Sequence, residues 1–303
     1  MIYVLGSINM DFVARVPHLP KVGETLSCEA FYMNLGGKGA NQAVAIAKLG
    51  ETVKMIGKVG KDANGVELKS KLSGFGVDTT FVTEADAPSG LAMITVHDGN
   101  NSIILNMGAN ECLSRADADE GLKDAKKGDI LVMQLEVPVD TVEYAGKIAK
   151  EKGMIVILNP APAKTEAKSV FAYADVVAPN ETETELFTGV LPSGDVELAL
   201  AVKKLRATGA NSVLITLGGN GSAIIEGQTI TYVPARKVKA VDTTSAGDTF
   251  MGAVAVKLNE GKTLLEAAQF ATYASSITVQ REGAAQSIPT LAEVQALWDE
   301  EHK

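Results

Sequence analysis

Short apolar runs alternate with helical segments along most of this 303-residue sequence, and the alternation constrains its fold more than any other feature. "IYVLG" near the N-terminus is typical of a buried strand ending in a glycine turn. "ANQAVAIAKLG" at 40–50 has apolar residues at helical spacing and then a glycine. "DILVMQLE" and "VDTVEYAGKIAKEKG" repeat this pairing. The pattern predicts the α/β class, with a central, mostly parallel sheet flanked by helices.

Two segments break the alternation. Residues 25–37 and 90–108 have extended character, and "DGNN" in the second predicts a hairpin with Asp98–Gly99 at its tight turn. We expect a small β-sheet apart from the main one, built from insertions at about 12–36 and 88–109 of a single domain spanning 1–303. Such a sheet suits a lid over a cleft or a dimer-forming edge.

The composition narrows the class of partner. A net charge of −9 disfavours nucleic acid and anionic membranes as partners. No apolar run has the length of a membrane span, and the first residues do not resemble a signal peptide, so we expect a cytoplasmic protein. Cys28 and Cys112 have no metal-like spacing, and His18, His97 and His302 are scattered, which disfavours a disulfide framework or a zinc site.

"AVDTTSAGDTFMGAVAV" at 240–256 places Asp248 where a helix should begin. An acid in a first helical turn is often only a favourable charge near the helix N-terminus. Here small residues (Thr244, Ser245, Ala246, Gly247) precede it, so the helix amides stay accessible to an anion. A carboxylate beside a bound phosphoryl group can accept the proton of an attacking hydroxyl. Capping explains the acid but not the lack of bulk around it.

"NLGGKGANQAVAIA" at 34–47 is a glycine-rich loop entering a helix, with Lys38 as a cation and Asn41 and Gln42 as amides. It matches neither the P-loop nor the dinucleotide-binding motif, and a flexible turn explains it equally well. Asn9 and Asp11 follow the first strand, and Glu136 follows a later one. Ligands of open parallel sheets gather at these strand ends, although turn capping by Asn and Asp is equally common.

"PNETETE" places Asn180 and Glu183 at another strand end. Acids there are usually N-terminal helix charges, and the alternative is a water-mediated magnesium site beside nucleotide phosphates. "TLGGNGSAI" at 216–224 is a glycine turn suited to a nucleotide or to a hairpin.

"GGKGANQA" together with "DTTSAGDTF" resembles the paired signatures of the ribokinase-like sugar kinases, the phosphofructokinase-B group. "GSINMD", "VGETL", "MQLEVP", "LNPAPA", "PNETE", "LITLGGNG" and "REGAAQSIP" follow the family's order, so the likeness covers essentially the whole chain. The resemblance implies a Rossmann-like fold with a β-sheet lid that often forms a homodimer. It also implies ATP-dependent phosphorylation of D-ribose at its 5-hydroxyl.

The resemblance also implies roles for individual residues. Asp248 would be the general base, and the amides of Ser245, Ala246, Gly247 and Asp248 would form the anion hole. The sugar would be held by Asn9, Asp11, Gly37, Lys38, Asn41 and Glu136. ATP would contact Asn180, Thr216, Gly218, Gly221, Gly247 and Thr272. Glu183 would position Mg²⁺ through water. A monovalent cation, K⁺ in type, would lie by Asp242, Thr244, Thr278, Arg281, Gly283 and Ser287.

Departures from the family pattern leave alternatives open. "SAGD" replaces the usual G-A-G-D, Thr272 stands where many relatives offer adenine an amide or imidazole, and Met10 beside Asn9 could alter sugar preference. A kinase for deoxyribose, fructose or adenosine is one alternative. A non-catalytic sugar-binding regulator on the same fold is another. A nicotinamide dehydrogenase is disfavoured by the missing dinucleotide motif.

Overall fold

The structure is a computed structural model that describes residues 1–98, 100–227 and 229–301. Gly99 of the expected Asp98–Gly99 turn and His302 therefore lie outside the described residues. Within the described part of the chain, no helix is both long and apolar enough to cross a bilayer.

The main sheet contains nine strands, and the α/β prediction is confirmed. Its strands are β1 (Ile2–Leu5), β4 (Val53–Gly60), β5 (Asp78–Ala85), β8 (Ile130–Met133), β9 (Ile155–Leu158), β10 (Val176–Val177), β11 (Ser212–Thr216), β12 (Ser222–Glu226) and β13 (Thr229–Val233). The order is β13-β12-β11-β10-β9-β8-β1-β4-β5. All pairs from β11 to β5 are parallel, and β12 and β13 add an antiparallel hairpin at one edge.

Helices cover both faces of this sheet. They are α1 (Lys38–Lys48), α2 (Ala63–Gly74), α3 (Arg115–Gly121), α4 (Val139–Glu151), α5 (Glu181–Thr188), α6 (Asp195–Ala207), α7 (Ala246–Asn259), α8 (Leu264–Thr278) and α9 (Leu291–Glu301). Alternate residues of β1 point to opposite faces, so Ile2 and Val4 pack with α1, α7 and α8. Tyr3 and Leu5 pack into the other core, with α3 and α4. The sheet is thus buried on both sides, as parallel sheets generally are.

The second sheet has the strand order β3-β2-β6-β7. Its strands are β2 (Asn9–Arg15), β3 (Ala30–Gly36), β6 (Gly90–His97) and β7 (Asn100–Asn106). We call it the small sheet. β6 and β7 pair antiparallel, as a hairpin requires. The small sheet begins at Asn9, before the expected boundary at about 12, because β2 starts soon after the end of β1.

Candidate active site

Polar side chains collect where the parallel strands end. Ser7 follows β1, Gln134 and Glu136 follow β8, Asn159 follows β9 and Asn180 follows β10. The N-termini of α1, α5 and α7 supply the remaining predicted groups at this edge. Because the carboxyl ends of parallel strands share one edge of a sheet, residues distant in sequence meet here.

Asp248 lies in the first turn of α7 and is 7% exposed. Its Oδ2 accepts a hydrogen bond from Asn41 Nδ2 and its Oδ1 accepts one from Gln42 Nε2, both at 3.1 Å. Burial raises the pKa of Asp248, while Lys38 and these two amides act in the opposite direction. The carboxylate is therefore oriented, shielded from water and more basic than an exposed aspartate, which suits a proton acceptor.

The space beside Asp248 is open. Apart from its two chain neighbours and the backbone of its own helix, a Cβ added to Gly247 would meet no atom of the described residues within 4 Å. Within the described part of the chain, the amides of Gly247 and Asp248 donate no hydrogen bond. Two free amides at the N-terminus of a 14-residue helix form a site for an anion.

Ser245 precedes this turn in the left-handed conformation, with φ 60° and ψ 6°. Its hydroxyl oxygen is buried and has no hydrogen-bond partner among the described residues. A serine pays a steric cost in this conformation that glycine does not. The departure from G-A-G-D thus changes local strain while the helix still begins at Ala246.

Four acids of the candidate site act electrostatically on one another or on Lys38, and we call Asp11, Glu136, Glu183 and Asp248 the acid cluster. Asp11 is 6% exposed, and burial with the nearby charges of Glu136 and Asp248 raises its pKa to about 7. Glu136 accepts hydrogen bonds from Ser7 Oγ at 2.6 Å and from the Lys38 amide at 3.1 Å. Burial opposes the charge of Lys38, but Asp248, Glu136 and Glu183 outweigh it and raise the lysine pKa. The ammonium group therefore stays charged.

The glycines of the glycine-rich loop are needed for packing within the protein itself. A Cβ on Gly36 would lie 2.0 Å from Asp11 Oδ2, and one on Gly39 would lie 2.7 Å from Ser7 N. Gly37 has φ +89°, and its Cβ would lie 2.9 Å from Ser7 O. These glycines let the start of α1 pack directly against residues 6–11 of the same chain.

Asn9 and Asp11 occupy the same face of β2, as residues two apart in a strand do. The Asn9 Oδ1 accepts a hydrogen bond from Asn110 Nδ2 at 2.7 Å, which leaves its amide nitrogen as the free donor. Met10 points to the opposite face and is fully buried in the main core. The expectation that Met10 could alter sugar preference is therefore wrong, because strand alternation directs it away from Asn9.

A cavity of about 470 Å³ adjoins this acid cluster. Its walls include Asp11, Val13 and Ile94 of the small sheet and the loops at 241–244 and 282–284. An ion pair from Arg15 to Glu282, 3.0 Å long, joins the small sheet to the second of these loops. The small sheet thus forms one wall of this cavity, which reaches the acid cluster at Asp11.

Asn180 and Glu183 form a reciprocal capping box at the start of α5. Burial raises the pKa of Glu183, and Lys38 is close enough to act against that shift. Asn180 also pairs with Thr216 in an isolated parallel bridge. The structure thus gives both predicted nucleotide residues a local structural role. The Glu183 carboxylate also lies close enough to Lys38 to raise the lysine pKa.

The remaining nucleotide candidates have mixed surroundings. Gly221 has φ +97°, and a Cβ there would lie 2.0 Å from Val233 O, so the β-hairpin itself requires this glycine. Gly218 also has a positive φ, with no protein atom closer than 3.9 Å to an added Cβ. The Thr272 hydroxyl donates to Ala268 O within α8, which leaves its oxygen only as an acceptor.

The six cation candidates lie on two adjacent loops and the end of α8. Asp242 holds the loops together, accepting hydrogen bonds from Thr244 N at 2.9 Å and Gly283 N at 3.0 Å. The side chains of Thr278, Arg281 and Ser287 are bonded elsewhere, to Thr249 and Ala274, to Glu293 and to Ala284 respectively. These three residues can therefore offer a cation backbone carbonyl oxygens and not freely oriented side chains.

Sequence reasoning noted Gln42 only as an amide of the glycine-rich loop, and it missed three other buried polar groups of the site, Ser7, Asn110 and Gln134. Ser7, Gln42, Asn110 and Gln134 are 0–1% exposed, and each bonds to a predicted residue or to another member of this group. A polar residue within or directly after an apolar strand, such as Gln134 in "LVMQLE", was the available signal.

The sequence matches the family model "pfkB family carbohydrate kinase" over residues 1–291. A ribokinase of Haemophilus influenzae is 40% identical over 292 residues, which cover 96% of this chain and 95% of the relative. A deoxyribokinase of Salmonella typhimurium is 38% identical over 293 residues, covering 96% of each chain. Both therefore align with almost the whole molecule.

A solved structure with a similar fold is that of Arabidopsis thaliana ribokinase complexed with ribose and ATP. The TM-score is 0.87 at 36% sequence identity, over 98% of this chain and 97% of that one. The similarity includes the small sheet, because so little of either chain is left uncovered.

Proposed function

Because this chain belongs to the pfkB family of carbohydrate kinases, we propose that it transfers the terminal phosphate of ATP to the 5-hydroxyl of D-ribose. The ribokinase relatives and the ribose–ATP complex of a structural neighbour support both substrates. Family membership also disfavours the regulator and dehydrogenase alternatives. The finer choice among sugars is left to experiment.

One observation carries the proposal. The buried Asp248 carboxylate accepts a hydrogen bond from an amide side chain at each oxygen. It adjoins an open space, and the amides of Gly247 and Asp248, which donate no hydrogen bond within the described chain, face the same space. The side chain of an N-cap residue normally accepts from such amides, but Ser245 makes no such bond, and the Asp248 carboxylate accepts from Asn41 and Gln42 instead. This arrangement provides a proton acceptor and an anion site next to each other, which phosphoryl transfer to an alcohol requires.

The transfer step follows from this geometry. The sugar oxygen attacks the γ-phosphorus while its proton passes to Asp248, and the bond from that phosphorus to the β,γ-bridging oxygen breaks. The free amides of Gly247 and Asp248 stabilise the negative charge on the transferred group. The amides of Ser245 and Ala246 lie beside them, and that of Ala246 also donates to Thr243 O at 3.3 Å. The charged Lys38 adds to this field from the opposite helix. ADP leaves with the electron pair of the broken bond.

The sugar is held by groups that the protein leaves without partners. The Asp11 carboxyl group accepts no hydrogen bond within the described residues, and the buried Asn41 Oδ1 has no partner there either. Sugar hydroxyls satisfy such acceptors, and Asn9, Glu136 and the start of α1 at Gly37 and Lys38 line the same space. Buried unpaired polar groups cost stability, and ligand binding relieves that cost.

The nucleotide lies on the α5 side, against Asn180, Thr216, Gly218, Gly221 and Thr272. Glu183 suits a magnesium ion reached through water, because its charge is available near the site and carboxylate oxygen is the preferred donor. When bound, Mg²⁺ neutralises charge on the phosphates.

The two loops tied by Asp242 suit a monovalent cation of the potassium type. Hard oxygen donors there include the Asp242 carboxylate and nearby backbone carbonyls, among them that of Thr244. Asp242 directly links the loop that precedes the anion site to the loop of Gly283. A cation there would brace the start of α7.

The outer face of the small sheet supports a homodimer. Met33, Phe12, Met93 and Ile104 form one register row across all four strands. Met93 is 48% exposed and Ile104 is 65% exposed, so apolar side chains face outward without cover. An exposed apolar sheet face of this kind is typical of an interface.

Replacing Asp248 by Asn tests the function. We expect the variant to fold and bind both substrates, with kcat reduced by about 10²-fold or more, since the proton acceptor is lost. Coupled ADP-release assays give kcat, and titration calorimetry gives the affinities. Normal turnover by the Asp248→Asn variant would overturn the assignment of the base.

The sugar is tested with the wild-type enzyme on ribose, 2-deoxyribose, fructose and adenosine. We expect the highest kcat/KM for ribose. Deoxyribose is the second candidate, because a deoxyribokinase is 38% identical to this chain. A kcat/KM that is higher for any other substrate would contradict ribose and keep the kinase assignment.

A further inference from the structure

Three amide side chains form a chain behind Asp248, two of them buried (Gln42 and Gln134) and one half-buried (Asn159). Gln42 Nε2 donates to Asp248 Oδ1 at 3.1 Å and to Asn159 Oδ1 at 3.3 Å. Gln134 Nε2 donates to Gln42 Oε1 at 2.7 Å, and Asn159 Nδ2 donates to Ala178 O at 2.9 Å. We call Gln42, Gln134 and Asn159 the amide relay.

The relay fixes the direction of every hydrogen bond in it. Since Gln134 donates to the Gln42 oxygen, the Gln42 nitrogen must face Asp248. A flipped Gln42 would place its oxygen against the carboxylate and its nitrogen against the Gln134 nitrogen. The contact with the carboxylate would be repulsive because that group only accepts, and the Gln134 nitrogen, by donating to the Gln42 oxygen, reinforces the orientation in which Gln42 supports the base.

The protein accepts a stability cost to keep this arrangement. Gln42 and Gln134 are both 0% exposed, and the Gln134 Oε1 has no hydrogen-bond partner among the described residues. Gly6 makes the necessary room, since a Cβ there would lie 1.9 Å from that same oxygen. An unsatisfied buried amide is unfavourable, so packing alone does not explain a glutamine at this position.

We propose that Gln42 is a positioning residue for Asp248 and that Gln134 and Asn159 act through it to hold the carboxylate toward the sugar hydroxyl. The inference rests on the proposed function, because it presumes that Asp248 is the base. Gln134 and Asn159 directly follow β8 and β9, so their positions are fixed by the main sheet. Through Gln42, the sheet thereby fixes the position of the Asp248 carboxylate. All members are neutral, and they orient the base without adding a competing charge.

Replacing Gln134 by Met is the primary test, because Gln134 contacts neither Asp248 nor the substrate space. Met has a similar volume and removes the unsatisfied Gln134 oxygen, but it also removes the donor to the buried Gln42 Oε1, so the two effects oppose each other and the melting temperature should change little. We expect kcat to fall about 10- to 100-fold, since misplacement of a catalytic group has effects of that size. KM for ATP should change less than about twofold. A wild-type kcat in this variant would overturn the relay.

A double-mutant cycle with Gln42→Met tests whether Gln134 acts through Gln42. In the Gln42→Met background we expect Gln134→Met to change kcat by less than about twofold, because the shared contact is already lost. If the fold-decreases in kcat of the two single variants multiply in the double variant, Gln134 does not act through Gln42. Val142→Ala, a buried core change in α4, serves as the control for destabilisation alone and should leave kcat unchanged.

Gln42→Glu gives a readout that a structural role would not move. A second carboxylate beside Asp248 should shift the acid limb of the kcat/KM pH profile upward by about one unit or more. An unshifted limb would contradict direct support of the base by Gln42. If wild-type enzyme phosphorylates no sugar, the proposed function itself fails, whereas active wild type with unaffected variants disproves only the relay.

Discussion

Gly247 and Asp248 are neighbours at the start of α7, and the site requires close packing around one and open space beside the other. Asp248 needs its two amide partners, while Gly247 needs empty space beside it. We expect Gly247→Ala to fold with unchanged or slightly higher stability, because alanine gains up to about 1 kcal/mol over glycine in a helix. The added methyl group lies where the phosphate would approach, so kcat/KM for ATP should fall at least about tenfold in a coupled assay.

Gly221→Ala is the matched control for this prediction. Its Cβ would collide with Val233 O at 2.0 Å, and its φ of +97° is unfavourable for alanine. This variant should lose stability in urea unfolding, which Gly247→Ala should not. If Gly247→Ala kept full activity toward ATP, the open space would not be the anion site.

The pKa of Asp11, raised to about 7 by burial and by Glu136 and Asp248, predicts a pH-dependent cost to stability. The folded state binds a proton more tightly than the unfolded chain, whose ordinary value is 3.8. Stability from this group therefore falls as pH rises from about 4 to 7. In urea unfolding at about pH 8, the free energy of unfolding of Asp11→Asn should exceed that of wild type by about 2–4 kcal/mol. Below about pH 4 the two values should converge.

The same Asp11→Asn variant should have a KM for sugar at least about tenfold higher, because an amide cannot replace both carboxylate acceptors. Steady-state kinetics at the same alkaline pH checks this. Equal stability of the two proteins at that pH would contradict the raised pKa. An unchanged KM would instead remove Asp11 from the sugar site.

At the scale of elements, Asp62 joins the start of α2 to the root of the small sheet. Its carboxylate accepts from Gly65 N at 2.7 Å, from Ser89 N at 2.8 Å and from Ser89 Oγ at 2.6 Å. Ser89 directly precedes β6. One side chain therefore caps a helix and anchors one of the two insertions.

We expect Asp62→Ala to lower the free energy of unfolding by about 1–3 kcal/mol at about pH 7. Burial alone would raise the pKa of Asp62, but the hydrogen bonds from Ser89 and Gly65 lower it overall. The difference should therefore shrink as pH falls below 3.8. Urea unfolding measures this difference, and hydrogen exchange at the Ser89 amide reports the lost contact. The control is Ser114→Ala, which removes the N-cap of α3 and should leave hydrogen exchange at Ser89 unchanged.

Individual elements were predictable where a local pattern decides them. The helix expected at 40–50 forms at Lys38–Lys48, and the strand in "DILVMQLE" forms at Ile130–Met133. The contacts that complete the site were not predictable, because Gln42 and Asp248 are 206 residues apart and Gln42 and Gln134 are 92 apart. Only the sheet order brings them together, and no periodicity encodes that order.

At the scale of the whole molecule, the exposed row on the small sheet predicts the oligomeric state. We expect wild type to be a dimer at micromolar concentration and Ile104→Lys to be a monomer, because a charged side chain cannot be buried in an apolar interface without a partner. Sedimentation equilibrium distinguishes the two. Val66→Lys, an equally polar change at an exposed position of α2, should remain dimeric. A monomeric wild type would contradict the interface.

The close contact between α1 and the chain at residues 6–11 has a consequence for how substrates enter. Gly36, Gly37 and Gly39 leave no gap in which this junction could slide, so Asp11 and the start of α1 form one rigid block. If the small sheet opens, the bend must therefore lie beyond this junction, in the part of the sheet near the Arg15–Glu282 ion pair. On the proposed function, a sugar would therefore meet binding groups that are already assembled, and movement of the outer part of the small sheet would control only how long the bound sugar is shielded from water.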